Sequence, residues 1–335
     1  MKFSEGGLQV MMKAVAFAVA LVLVQTYPLP AQTKRIPVAF SAVSATQTAL
    51  YIAKEAGIFE KHGLAADLVY VSSGTRVAQT LIAREFPVAL AGGAIVNANL
   101  AGGDIVVVGG VVNVPSFYFM VHPSIKRVED LKGKAVGITR YGSSTDYTVR
   151  YFLKKSGLEP DRDVKILQMG GQPEILAGVQ AGAVQGGIFS SPAEYKARKA
   201  GFIQLVDTSK IGLDYPTVSI VSTRSYIKSD PATVKNFLMG YSEGVSRLYK
   251  DKELAMKIIG KYTRTEDRDV LAAAYSYATN FVERTPKLPY KAIDMILAQT
   301  AETDPKAKGR KAEEFIDPAF YNELERSGFF KSLGL

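Results

Sequence analysis

The chain has 335 residues, 47% of them hydrophobic and 22% charged, with a formal net charge of +9. That length suits two lobes with a real core, and the composition is that of a soluble globular protein. Cysteine is absent, which excludes disulfides, thiolate metal sites and cysteine nucleophiles; Lys and Arg are scattered, which argues against nucleic acid as a partner.

At the N-terminus, Lys13 precedes the apolar run Ala14–Val24, then Tyr27-Pro28-Leu29-Pro30-Ala31 and the polar Gln32-Thr33-Lys34-Arg35. A charged flank, a short apolar stretch and a small residue at a break predict a secretory signal peptide over residues 1–31. The run is too short to span a bilayer comfortably. Without cysteine there is no lipid-modified N-terminal residue, so the expected location is the periplasm, free of an anchor.

From Arg35 short apolar runs alternate with helical patterns, which predicts an α/β fold with largely parallel sheets. Ile36–Phe40 reads as a strand, followed by the small-residue loop Ser41–Thr46 and a helix Gln47–Ala56. Asp67–Val71 is the next strand, with Ser72-Ser73-Gly74-Thr75 opening a helix to Arg84. Val88–Ala91 follows, with Gly92-Gly93 opening a third helix, then the buried strand Ile105–Val112 and Ser116–Val121. After a charged connector, Lys126–Lys132, a second set begins with the strand Lys134–Thr139. Gly142-Ser143-Ser144-Thr145 leads into a helix with Ser143 at the N-cap position and Asp146 where a capping-box acid would sit. Val164–Gln168 and Gln185–Phe189 are further strands; Ser190-Ser191 precedes a helix with Pro192 at its first position. Phe202–Val206 and Thr217–Ser222 complete the set. Beyond Asp230 the chain reads as helices, at Ala232–Tyr249, Lys252–Tyr262, Glu266–Asn280, Tyr290–Ala301 and Pro318–Ser327.

Each set holds three strand-to-helix junctions built from Gly, Ser and other small residues. Such junctions let backbone amides approach a ligand, and ligands of parallel sheets sit beyond the carboxyl ends of the strands. The candidate ligand-binding residues are therefore Ser44, Thr46, Ser73, Gly74, Gly92, Gly93, Ser143, Ser144 and Ser190, with Tyr141 in the key loop and Tyr215 before Pro216. Arg140 lies at the end of a predicted strand, just before the Gly142–Thr145 amides. A guanidinium there suits an oxyanion, and Arg76 in the other set is its runner-up. Asp146 is the acid that would pair with Arg140 and leave the site neutral. Neither His62 nor His122 has a partner at metal-ligand spacing, so each is assigned a packing or surface role; no metal, cofactor or catalytic residue is expected.

The run Leu50-Tyr51-Ile52-Ala53-Lys54-Glu55-Ala56-Gly57-Ile58-Phe59-Glu60-Lys61-His62-Gly63-Leu64 resembles the start of nitrate/sulfonate/taurine-type substrate-binding proteins of ABC importers, a group that includes binders of thiamine-precursor pyrimidines. Glu129-Asp130-Leu131-Lys132-Gly133-Lys134-Ala135-Val136-Gly137, Leu176–Val184 and the helical tail fit the same family, and the resemblance covers roughly Arg35–Tyr262. It implies a two-lobe periplasmic-binding fold of type II. Lobe one would take residues 32–122 and 225–335, lobe two residues 123–224, with crossings near His122–Ser124 and Val221–Arg224. It also implies a monomer that captures a small, anionic solute by hinge closure and delivers it to membrane permease subunits. Sulfonate, nitrate, carboxylate, aromatic acid and pyrimidine solutes all stay open. Two alternatives share the fold: a sensor or interaction protein, and an enzyme resembling thiamine pyrimidine synthases, whose cysteine- and histidine-rich segments this chain lacks. The chain departs from the family where Arg84–Val88 and Ala183–Gly187 lack the usual Asp, and in having no tryptophan.

Overall fold

The computed structural model describes residues 33–335; the expected signal peptide lies outside them. The strands form two five-stranded sheets. In the first, β1 (Lys34–Phe40), β2 (Leu64–Tyr70), β3 (Val88–Ala91), β4 (Ile105–Val112) and β10 (Val218–Thr223) lie in the order β2-β1-β3-β10-β4. In the second, β5 (Tyr118–Val121), β6 (Ala135–Ile138), β7 (Lys165–Gln168), β8 (Gly186–Phe189) and β9 (Ile203–Asp207) lie in the order β7-β6-β8-β5-β9. The two orders are the same pattern, so the lobes are topological copies.

Four strands of each sheet run one way and the fifth runs against them: β10 is antiparallel to β3 and β4, and β5 to β8 and β9. In both lobes the reversed strand is the one that arrives from the other lobe. The chain therefore changes sheet over residues 113–117 and 208–217. This corrects the crossings expected near His122–Ser124 and Val221–Arg224. Tyr118–Val121 belongs to the second sheet, and Val218–Thr223 to the first. Each is a short apolar run whose sheet is decided by distant pairing, not by local pattern.

Alternation along the strands splits the side chains between two faces of each sheet. Val38, Phe40, Leu90 and Val106 join one core with the helix Pro231–Lys250. Ala39, Ala89, Val107 and Val221 join a second, with the helix Tyr290–Thr300. The C-terminal helices thus complete lobe one. In lobe two, Val136, Ile138 and Ile188 pack with Val149, Phe152 and Leu153 of the helix Ser144–Lys155, while Met120 and Phe189 face Ile175 and Val179. Among the described residues no helix is long and apolar enough to cross a membrane, and no cluster of His, Asp or Glu could hold a metal.

Candidate functional site

Where β6 ends, Thr139, Ser143 and Thr145 form a closed hydroxyl network. Thr145 Oγ1 accepts from the Thr139 amide at 3.0 Å and lies 2.8 Å from both the Thr139 and Ser143 hydroxyls. Ser143 stands at the N-cap position as expected, yet its hydroxyl donates to the Arg140 carbonyl at 2.7 Å instead of capping the helix. Asp146 does not close a capping box either: its carboxylate accepts from the Gly142 amide at 2.8 Å and holds Arg150 Nε at 2.7 Å. Burial pushes the Asp146 carboxyl up, against the pull of the Gly142 amide and Arg150. The helix keeps its first-turn amides at Ser144 and Thr145 without a hydrogen bond among the described residues, facing the gap between the lobes.

The opposing lobe instead offers serines that do cap. Ser73, held at φ +77°, caps the helix Gly74–Ile82 by accepting from the Arg76 amide at 3.4 Å. Ser44 caps the short turn Ala45–Gln47, its hydroxyl accepting from the Thr46 amide at 3.3 Å. Between the two arrays lies a cavity of about 360 Å³. Ser44, Thr46, Ser73 and Gly74 line it from lobe one, and Thr139, Ser143, Ser144, Thr145 and Ser190 from lobe two. The crossings contribute Ser116, Phe117 and Thr217.

Across the cavity's rim the lobes touch. The Ala45 amide donates to the Ser191 carbonyl at 2.8 Å, Ser72 Oγ to the Gly170 carbonyl at 2.6 Å, and Thr75 Oγ1 to the Tyr141 carbonyl at 3.2 Å. The floor is buried: Ser44, Ser116, Ser143 and Ser190 are each 3% exposed or less. The mouth is formed by exposed residues, among them Val43, Tyr70, Pro173, Ala177 and Lys196.

Five expected site residues, and the runner-up Arg76, are not on this wall. Gly92 sits behind it, where an added Cβ would come within 2.4 Å of Ser144 Oγ. Gly93 packs against Ile296 and Tyr215. Tyr215 is a core residue, 1% exposed with its ring 4.6 Å from that of Tyr147, and burial raises its phenol. Tyr141 turns outward, donating to the Ile166 carbonyl at 2.8 Å. Arg140 is off the wall and its Nε is buried without a partner; Asp146 pairs with Arg150 instead of with it. Arg76 is exposed and also off the wall. Among the wall residues that the sequence left unmarked are Tyr70, Phe117, Gln172, Leu176, Lys196 and Thr263. Lys196 is the single charged residue among the described lining, which holds no carboxylate.

The family model described as "NMT1/THI5 like" matches residues 44–255, from Ser44 in the cavity wall into the helix Lys252–Thr263. The chain belongs to the NMT1/THI5-like family. Within it, this NMT1/THI5-like chain is similar to the nitrate/nitrite binding protein NrtA of Nostoc, at 29% identity over 45% of the chain, a match that spans 35% of that relative's length. In fold it is similar to the periplasmic nitrate-binding protein NrtA of Synechocystis, with a TM-score of 0.74 and 17% identity over 88% of this chain and 89% of that one. It is also similar to the alkanesulfonate-binding protein SsuA of Xanthomonas axonopodis bound to MOPS, with a TM-score of 0.70 and 19% identity over 85% of this chain and 96% of that one. These two structural likenesses establish a shared two-lobe fold.

Proposed function

We propose that the chain is the solute-capturing component of an ABC importer, a monomer in the periplasm. It holds a small organic anion between its lobes and presents it to membrane permease subunits. The observation that carries this is the cavity itself: two lobes of identical topology meet with hydroxyl-rich strand ends facing one space. The nitrate- and alkanesulfonate-binding proteins it is similar to support the same reading. So does the family context carried by the AKEAGIFEKHGL run.

The charge of the solute is supported by the wall. With no carboxylate to repel an anion and with the first turns of Ser144–Lys155 and Gly74–Ile82 beside the cavity, the local field favours negative charge. Arg140 does not supply the countercharge; unbonded amides and hydroxyls do. The proposed role is binding without turnover.

Thermal melts of the purified protein with candidate anions test this. A solute at about 100 times its dissociation constant adds roughly 2.7 kcal/mol and raises the melting temperature. Chemical conversion of the bound solute by the protein alone would overturn the reading.

A further inference from the structure

We propose that Asp146 and Arg150 are positioning residues for solute capture: they touch no solute, and they hold the turn Gly142–Thr145 in the shape that leaves its helix amides open. This rests on the solute-binding reading above and adds to it what sets the geometry of the wall.

The residues of this turn would ordinarily close on themselves. With Ser143 at the N-cap position, its hydroxyl would accept from the Asp146 amide, and the Asp146 carboxylate would reach back to the Ser143 amide. Neither bond forms. The carboxylate takes the amide one residue earlier, that of Gly142, at 2.8 Å, and the Ser143 amide turns to the Arg140 carbonyl at 3.2 Å. The cap is thereby emptied. The Asp146 amide joins those of Ser144 and Thr145 in having no hydrogen bond among the described residues. Gly142 permits the shift, because its φ of +73° is one that residues with a Cβ rarely adopt.

A carboxylate only 6% exposed needs a cation, and the same helix supplies it one turn on. Arg150 Nε donates to Asp146 Oδ1 at 2.7 Å, and its Nη1 donates to Asp161 at 2.6 Å. The guanidinium also lies 6.0 Å from the centre of the Tyr141 ring. One side chain thus bears on the turn at Tyr141 directly and at Gly142 through Asp146. The turn it braces meets lobe one, where Thr75 Oγ1 donates to the Tyr141 carbonyl at 3.2 Å.

Charge and geometry make opposite demands on Asp146. Its carboxylate lies in the first turn of the helix whose amides face the cavity, and Arg150 offsets its repulsion of an anion. Were charge its only influence, deleting the carboxylate would tighten the binding of an anion. If Asp146 positions the turn, the same deletion weakens it.

Nitrate, ethanesulfonate and benzoate are titrated calorimetrically, and the tightest is carried through the variants. Asp146→Ala is expected to bind it about tenfold or more weaker than wild type. Asp146→Asn, which keeps an acceptor for the Gly142 amide, should fall between the two. Arg150→Gln should also weaken binding, since it leaves the carboxylate unpaired. Leu153→Ala, in the core on the same helix, lowers the melting temperature without touching the turn, and should stay within about threefold of wild type. Amide spectra of the solute-free protein give a second readout: the Gly142 proton, which donates to a carboxylate, should move upfield in Asp146→Ala and hold its place in Leu153→Ala. If Asp146→Ala does not fold, Asp146→Asn and Arg150→Gln carry the same comparison. Affinity at or above wild type in the Asp146 variants, an equal loss in Leu153→Ala, or an unmoved Gly142 resonance overturns the assignment and leaves the capture reading standing. If neither these anions nor a broad set of small solutes raises the melting temperature of wild type, both fall.

Discussion

Two adjacent glycines illustrate how close packing at single residues separates binding from stability. A Cβ on Gly92 would meet Ser144 Oγ at 2.4 Å and the Thr217 carbonyl at 2.5 Å, atoms of the facing lobe and of a crossing. Gly92→Val should therefore hold the lobes apart, weakening solute binding at least tenfold in a titration. On Gly93 the same atom would meet Ile296 Cδ1 at 2.3 Å and Tyr215 Oη at 2.7 Å, both in the core of lobe one. Gly93→Val overpacks that core and should cost about 1–3 kcal/mol in denaturant unfolding, without filling the cavity. Glu194 gives a titratable counterpart. It is 9% exposed, its Oε2 has no partner, and burial raises its carboxyl above the ordinary 4.5. Its own amide, Ser191, the Tyr195 amide and Arg198 pull it down, while it in turn raises Tyr118 and Tyr277. The folded state then holds a proton that the unfolded state has released, so stability falls as pH rises from 4.5 through the raised value. Glu194→Gln should melt higher than wild type at pH 7, with the difference vanishing near pH 4; equal melting at pH 7 would refute this.

At the scale of elements, the helix Arg268–Phe281 ties lobe one to the first crossing. Tyr277, 4% exposed, donates its hydroxyl to the Ser116 carbonyl at the back of the cavity wall. Tyr277→Phe leaves that buried carbonyl unpaired and should destabilise the protein by about 1–3 kcal/mol, measured by denaturant unfolding. Strands were the most legible elements in the sequence. Val88–Ala91 and Ile105–Val112 form where their unbroken apolar runs predict, because burial on both faces leaves no polar position. The serine-rich turns were legible too, since only small residues let a chain reverse beside a ligand space. Sheet membership was not: the runs Tyr118–Val121 and Val218–Thr223 look alike wherever they pair. The missing wall residues have a different cause. Leu176 and Lys196 come from helix flanks and Tyr70 from a strand end, where nothing in the local pattern distinguishes a cavity from solvent. Arg140 misled because position in a loop does not fix the direction of a long side chain.

For the molecule as a whole, the chain links joining the lobes are two short crossings, residues 113–117 and 208–217, so hinge motion about them is the expected response to solute. Small-angle scattering should show the radius of gyration shrinking at saturation; an unchanged radius would count against closure. The chemistry of the rim adds a further consequence. Its cross-lobe bonds join the Ala45 amide and the hydroxyls of Ser44, Ser72 and Thr75 to the carbonyls of Ser191, Gly170 and Tyr141, while the ion pairs Lys154–Glu302 and Lys199–Asp267, which also span the lobes, are exposed and weak. Neutral bonds at contact distance hardly respond to ionic strength, whereas the pull of Lys196 on an approaching anion decays as the screening length contracts from about 30 Å at 0.01 M salt to about 3 Å at 1 M. Across that range the rate of capture should fall while the compactness of the filled protein stays constant. Such a receptor keeps its grip through swings of salinity, and gives up only speed.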